Sequence, residues 1–197
     1  MHLFLNTTSP YARIARIALE EKGHDAGTEV VDPWADAPRL LKANAAARVP
    51  ALITDGGRVL TESLLIVLWL EAERPTPSLL GADRTATVAR AGVAMGVIDA
   101  AVHTLIGRKI TDASFDTAPV GLRRRRSMSE GLRRLEADAP RYDEGTPDLA
   151  AITAVVALDY VRFRFPQAEW MPALPHLDRL AACLGERPSF ERSRPRA

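Results

Sequence analysis

A change of pattern along the chain narrows the fold more than any other feature. Up to about Arg74, short β-like runs alternate with helix-like runs. Pro75, Pro77 and Gly81 then interrupt the chain, and beyond them no segment keeps a two-residue alternation. In the first part, Leu3-Phe4-Leu5 reads as a strand stopped by Asn6-Thr7-Thr8-Ser9. Pro10 suits the first turn of a helix, where its missing N–H costs little, and Gly23 suits the end. Between them Ile14, Ile17, Ala18 and Leu19 form one face. Thr28–Val31 reads as a second strand, Ala37–Ala46 contains a short helix, and Val49–Thr54 is a third strand. Asp55-Gly56-Gly57 signals a hairpin into Arg58-Val59-Leu60. Thr61-Glu62-Ser63 then leads into Leu64–Leu70, a run expected to form an almost wholly buried helix. This order predicts a small mixed sheet covered by helices.

The second part reads as an α-bundle. Asp83 suits the cap of a long helix reaching about Thr111, with Val88, Ala91, Met95, Ile98, Val102 and Leu105 as its inner face. Further helices are expected over about 119–138, from Asp148 onward, and over about 174–184. Asp148 caps without a carboxylate three residues later, so the reciprocal bond of a capping box is absent. The fold class is therefore α+β, with a first domain over 1–76 and an all-α domain over 83–197.

Composition removes several function classes. Twenty-six Lys and Arg against 25 Asp and Glu leave a net charge of +1, too little for a general field toward nucleic acid or anionic lipid. Arg123-Arg124-Arg125-Arg126 would point around a helix axis, which reads as a solvated face, so no nucleic-acid partner is expected. The longest apolar run, Leu64–Leu70, falls well short of the roughly 20 residues a bilayer requires, so no membrane partner is expected. The opening apolar run is too short for a signal-peptide core, and with a single cysteine the expected compartment is the cytoplasm. Cys183 reads as a small core residue, and the four histidines show no paired spacing for a metal.

Four pieces in register carry a resemblance: Ser9-Pro10-Tyr11-Ala12-Arg13, Arg16–Gly23, Arg48-Val49-Pro50-Ala51-Leu52 and Thr61-Glu62-Ser63. Together they resemble the glutathione S-transferase superfamily over essentially the full length. The end of the chain, Tyr160–Arg164, Pro175-His176-Leu177 and Arg187-Pro188-Ser189-Phe190, resembles a bacterial YibF-type subgroup. The resemblance implies a thioredoxin-like N-terminal domain, a helical C-terminal domain and a homodimer. It also implies glutathione as co-substrate, a small hydrophobic electrophile as acceptor, and no metal.

Each site residue has two readings at this stage. Val49-Pro50 is an ordinary trans proline opening an edge strand or, by the resemblance, a cis bond that turns the Val49 backbone toward the ligand's cysteinyl unit. Ser63 with Thr61 is a helix cap, or Ser63 receives the γ-glutamyl carboxylate at a helix N-terminus while Glu62 takes the ammonium. Arg48 is a solvated arginine or meets the glycyl carboxylate, with Trp34 and Lys42 nearby in sequence. Ser9 stands where thioredoxin-like proteins carry their first active-site cysteine, so dithiol exchange through Ser9-Pro10-Tyr11-Ala12 is excluded. Its hydroxyl either caps the helix or donates to a bound thiolate, with Thr7 and Thr8 as rivals. Such a bond lowers a thiol pKa, and about two units from 8.5 is about 2.7 kcal/mol. Three activities follow from the resemblance: transfer of glutathione, glutathione-dependent isomerisation or peroxide reduction, and non-enzymatic binding or regulation.

Overall fold

The computed structural model describes residues 1–142 and 145–196 and divides the chain into two compact units. The first, Met1–Leu79 with Gly185–Ala197, holds a four-stranded sheet in the order β2-β1-β3-β4. Its strands are β1 (His2–Leu5), β2 (Gly27–Val30), β3 (Ala51–Ile53) and β4 (Val59–Thr61). β1 runs parallel to β2 and antiparallel to β3, and β3 is antiparallel to β4. This is a thioredoxin-like mixed sheet, as the alternating pattern and the resemblance led us to expect. The helices are α1 (Pro10–Glu21), α2 (Pro38–Ala43) and α3 (Ser63–Glu73). Gly23, at φ +70°, takes the left-handed conformation that ends α1 without a Cβ penalty.

Helices α1 and α3 pack together and are locked at their C-terminal ends. The fully buried Lys22 donates its ammonium to the carbonyls of Arg74 (2.6 Å) and Pro77 (2.5 Å) and pairs with Glu71. Arg74 returns a bond from Nη1 to the Lys22 carbonyl at 2.5 Å. Burial alone would push the Glu71 carboxyl up. The Lys22 ammonium, the Leu79 N–H and the Ser78 hydroxyl outweigh it and hold Glu71 below its ordinary value.

α3 departs from the buried helix expected of its apolar run. Ile66, Val67 and Leu70 are buried, but Leu65 and Leu68 are 58% and 62% exposed. A helix against one neighbouring layer buries one stripe only, and seven consecutive apolar residues wrap around the whole axis.

The second unit, Leu80–Leu184, contains α4 (Arg84–Ile110), α5 (Pro119–Ala137), α6 (Leu149–Arg164) and α7 (Pro175–Gly185), with a short 3-10 turn at Ala113–Asp116. Asp83 caps α4 by accepting the Ala86 N–H at 3.0 Å, and Asp148 caps α6 by accepting from Ala151 at 2.8 Å. α4 is long and apolar enough by length and composition to cross a bilayer; here it is the core helix of its unit, packed on α5 and α6. Of the expected face, Ala91 and Ile98 are buried, Met95, Val102 and Leu105 are half-buried and Val88 is exposed, while the buried stripe also takes in Ala94, Val97, Ala101 and Thr104. Two helix partners select small residues that admit close approach, where a pattern of large side chains misleads. Cys183 is exposed, not in the core: α7 buries Leu177, Leu180 and Leu184, and Cys183 falls off that stripe.

The helical unit stops at Leu184, short of the expected 197. The remaining segment, with α8 (Pro188–Arg192), belongs to the first unit. Phe190 is fully buried, Arg187 and Ser189 bind Glu21, Arg192 binds Glu20, and Arg13 Nε donates to Ser193. An acidic edge on α1 and an arginine-rich tail thus meet within one unit.

Candidate functional site

Strand register gathers the site residues at one end of the sheet. Phe4 pairs with Ala51 and Ala51 pairs with Thr61, so these three form a row across β1, β3 and β4. With strands about 4.8 Å apart, the row spans about 10 Å. Beyond Phe4 the chain continues to Ser9, before Ala51 stand Val49 and Pro50, and after Thr61 come Glu62 and Ser63. Three chain segments therefore converge on one edge.

The loop at the end of β1 is fixed by Asn6. Its carbonyl oxygen Oδ1 accepts from the Thr8 N–H (3.0 Å) and the Thr8 hydroxyl (2.8 Å), and its Nδ2 donates to the Val31 carbonyl at 3.2 Å. The Asn6 backbone carbonyl also accepts the Ser9 N–H at 3.0 Å. Sequence reasoning treated Asn6 as a strand breaker only; its signal was the Asx-turn pattern of Asn followed two residues later by Thr.

The three rival hydroxyls separate here. Thr7 donates to the Arg196 carbonyl at 3.0 Å and Thr8 donates to Asn6, so both protons are committed. The half-buried Ser9 is the N-cap of α1, and its Oγ accepts the Ala12 N–H at 3.2 Å. Its own proton has no acceptor among the described residues. Capping and donation are therefore compatible: the oxygen accepts from the helix while the O–H keeps its capacity to donate. The helix N-terminus adds a partial positive charge beside it.

Val49 is buried and joined to Pro50 by a cis bond. It precedes β3, and its N–H and C=O have no hydrogen-bond partner among the described residues. Glu62 is the N-cap of α3 but makes no side-chain cap bond, and its φ of 64° with ψ 120° is strained for a residue with a Cβ. Ser63, read from the sequence either as a cap or as the receiver of the γ-glutamyl carboxylate, is not the cap but the first helical residue, and it is 3% exposed. The first intrahelical bond of α3 runs from Ile66 N–H to the Glu62 carbonyl, leaving the N–H groups of Ser63, Leu64 and Leu65 outside the helix ladder. The strain at Glu62 holds this N-terminus open while aiming its carboxylate outward.

Arg48 lies with these residues: its Nη2 donates to Glu62 Oε1 at 2.8 Å. Both side chains are more than half exposed, so the pair contributes at most about 1 kcal/mol and opens readily. Trp34 and Lys42 are also exposed. No cluster of three or more His, Cys, Asp or Glu side chains is placed to hold a metal ion among the described residues.

A family model for the glutathione S-transferase N-terminal domain matches residues 8–73, a stretch that includes Ser9, Arg48, Val49, Glu62 and Ser63. Among solved structures, a glutathione S-transferase of Methylobacterium radiotolerans, in complex with glutathione sulfonate, is 34% identical. It superposes with a TM-score of 0.90 over 100% of this chain and 95% of that one. The uncharacterized GST-like protein YibF of Escherichia coli K12 is 27% identical over 99% of this chain and 98% of its own length. A maleylacetoacetate isomerase of Pseudomonas aeruginosa is 28% identical over 99% of this chain and 95% of its own. Full-length agreement with a transferase structure, added to the domain match and the converging edge, makes this chain a member of the glutathione S-transferase superfamily.

Proposed function

We infer that the chain is a cytoplasmic glutathione transferase with a serine-type site. Glutathione binds along the sheet edge, its cysteinyl backbone pairing with the N–H and C=O of Val49 as an added strand would. Its γ-glutamyl carboxylate lies at the N-terminus of α3, on the Ser63 hydroxyl and the open N–H groups. Its ammonium meets Glu62, and its glycyl carboxylate meets Arg48, the two ligand charges replacing the exposed Arg48–Glu62 pair. Ser9 donates its proton in a hydrogen bond to the sulfur, favouring thiolate, which attacks the electrophilic carbon of a small acceptor.

The observation that carries this reading is the uncommitted Ser9 hydroxyl on the same sheet edge as Val49, Glu62 and Ser63. Its test is a pair of titrations: calorimetry with glutathione, then thiolate absorbance of the complex against pH. Submillimolar binding with a thiol pKa about two units below that of free glutathione is expected. A bound thiol that ionises as in water removes the enzyme and leaves a glutathione-binding protein.

Glutathione-dependent isomerisation is a second reading, favoured by the full-length similarity to the Pseudomonas isomerase. It uses the same thiolate, added to and then released from one substrate. Conjugate accumulation in single turnovers separates the two. A homodimer completes the proposal: exposed Leu64, Leu65 and Leu68 give α3 an apolar face that a second copy would cover. Sedimentation at twice 21.5 kDa is expected, and a monomer that persists at high concentration would refute it.

A further inference from the structure

Three consecutive hydroxyls, Thr7, Thr8 and Ser9, follow β1, and each has the chemistry to donate a proton to a sulfur. What distinguishes them is one half-buried amide, that of Asn6. Its two backbone partners fix which way the amide faces, because a backbone N–H only donates and a carbonyl only accepts. Oδ1 takes the Thr8 N–H at 3.0 Å, and Nδ2 donates to the Val31 carbonyl at 3.2 Å. Thr8 Oγ1, 2.8 Å from the same Oδ1, therefore has to be the donor of that bond. Its proton is committed, and its oxygen keeps only lone pairs, which do nothing to stabilise a thiolate. Thr7 is committed in the same sense, to the Arg196 carbonyl at 3.0 Å. That bond joins the loop to the tail, and Thr7, Ser9 and Arg196 line one small cavity there. Ser9 differs from both: its oxygen accepts the Ala12 N–H at 3.2 Å, and its proton has no acceptor among the described residues.

The same residue also sets where Ser9 stands. Val31 is buried and its N–H donates to the Leu5 carbonyl at 2.9 Å, so Nδ2 ties Asn6 to the end of the β1–β2 pair. The Asn6 backbone carbonyl accepts the Ser9 N–H at 3.0 Å, and the Ser9 carbonyl accepts from Arg13 at 3.1 Å. Ser9 is thus held on one side by the turn and on the other by the helix it caps. The task at position 6 needs an acceptor with two lone pairs and a donor on one short planar group. An ionised aspartate lacks the donor, and leucine lacks both.

We propose that Asn6 is a positioning residue for the reaction: it withdraws Thr8 as a donor and holds Ser9 as the hydroxyl that meets the sulfur. The inference rests on the serine-type reading above and adds to it a residue that acts without touching glutathione. Its effect falls on the ionisation of the bound thiol, through Ser9, and not on capture of the tripeptide. Groups that meet a reacting atom perform only when the side chains behind them fix their geometry, and Asn6 supplies that support here.

The test is the thiolate absorbance of the glutathione complex against pH, read in four variants beside the unaltered chain. Thr8→Val removes the hydroxyl at nearly constant volume and should leave the bound thiol pKa and kcat as they are. Asn6→Ala should raise that pKa by about one unit, half of the shift assigned to Ser9, and lower kcat about tenfold. Its glutathione affinity at about pH 5, where the thiol is protonated, should stay within about twofold of the unaltered chain. Ser9→Ala should show its full shift with Asn6 in place and add less than half of it in the Asn6→Ala background, where Thr8 is released. A Thr8→Val variant that raises the thiol pKa as far as Ser9→Ala makes Thr8 the donor and overturns the proposal, whether or not Asn6→Ala folds. So does an Asn6→Ala variant that loses stability or affinity with the thiol pKa unmoved, or a pair of effects that simply add. Failure of the serine-type reading looks different: the thiol of the unaltered complex then ionises as in free glutathione, and both conclusions fall together.

Discussion

The two ends of the α1–α3 pair are built on opposite rules. At the C-terminal end Lys22, Glu71 and Arg74 spend their polar groups on one another and on the carbonyls of the following loop, out of water. At the N-terminal end Ser9 keeps a proton without an acceptor among the described residues, Glu62 accepts backbone strain, and the first N–H groups of α3 lie outside the helix ladder. One helix pair thus has a satisfied end that supplies rigidity and an unsatisfied end that supplies recognition. Strain and open donors persist at the second because the first holds the helices in register.

The largest effect should come from the satisfied end. Lys22→Ala leaves the Glu71 carboxylate and two carbonyls without their buried partner, and chemical denaturation should show a loss of about 3–5 kcal/mol. Glutathione affinity of the folded variant should be unchanged; a matching loss of affinity would erase the division between the ends. The same contact has a pH signature. The folded-state pKa of Glu71 lies below the ordinary 4.5, so its contribution is present above that value and is lost as pH falls through the lower, folded one. Glu71→Gln should flatten stability over that acidic range.

Next is Ser9→Ala, expected to lower turnover by about 10²–10³-fold, as loss of a donor to developing or held negative charge does elsewhere. Its stability cost should stay near the roughly 1 kcal/mol of a lost helix cap. If turnover survives while stability falls, Ser9 is a cap alone. Glu62→Ala should follow, weakening glutathione by about 10–100-fold in calorimetry, the range for hydrogen bonds to charged groups. The smallest effect sharpens the contrast most. Glu62→Gly relieves the positive φ and should raise stability by about 1 kcal/mol while losing the same affinity as the alanine variant. A variant that is destabilised instead would show that the site carries no stored strain.

Much of the first unit was legible because its signals are local. Pro10 and Gly23 bracket α1, and Asp55-Gly56-Gly57 turns β3 into β4 with Gly57 at φ 76°. What could not be read depends on partners distant in sequence. The Arg48–Glu62 pair and the backbone of Glu62 follow from two loops meeting at the sheet edge, not from either loop. The exposed leucines of α3 and exposed Cys183 were misread because apolarity reports preference for burial, not which face a neighbour covers. The tail was the largest omission: Arg187–Arg196 carries almost no apolar periodicity, and its anchor is charge complementarity to Glu20 and Glu21. Those two acids lie off the apolar face of α1 formed by Ile14, Ile17, Ala18 and Leu19, and nothing local names their partners.

That anchor also sets an order of events during synthesis. Domains made early on a ribosome usually complete their packing before later ones emerge. Here Glu20 and Glu21 must wait for Arg187 and Arg192, more than 160 residues downstream, so the whole helical unit is made first. The domain begun first is therefore the last to be finished, and the pocket beside Ser9 is walled only when translation reaches the tail.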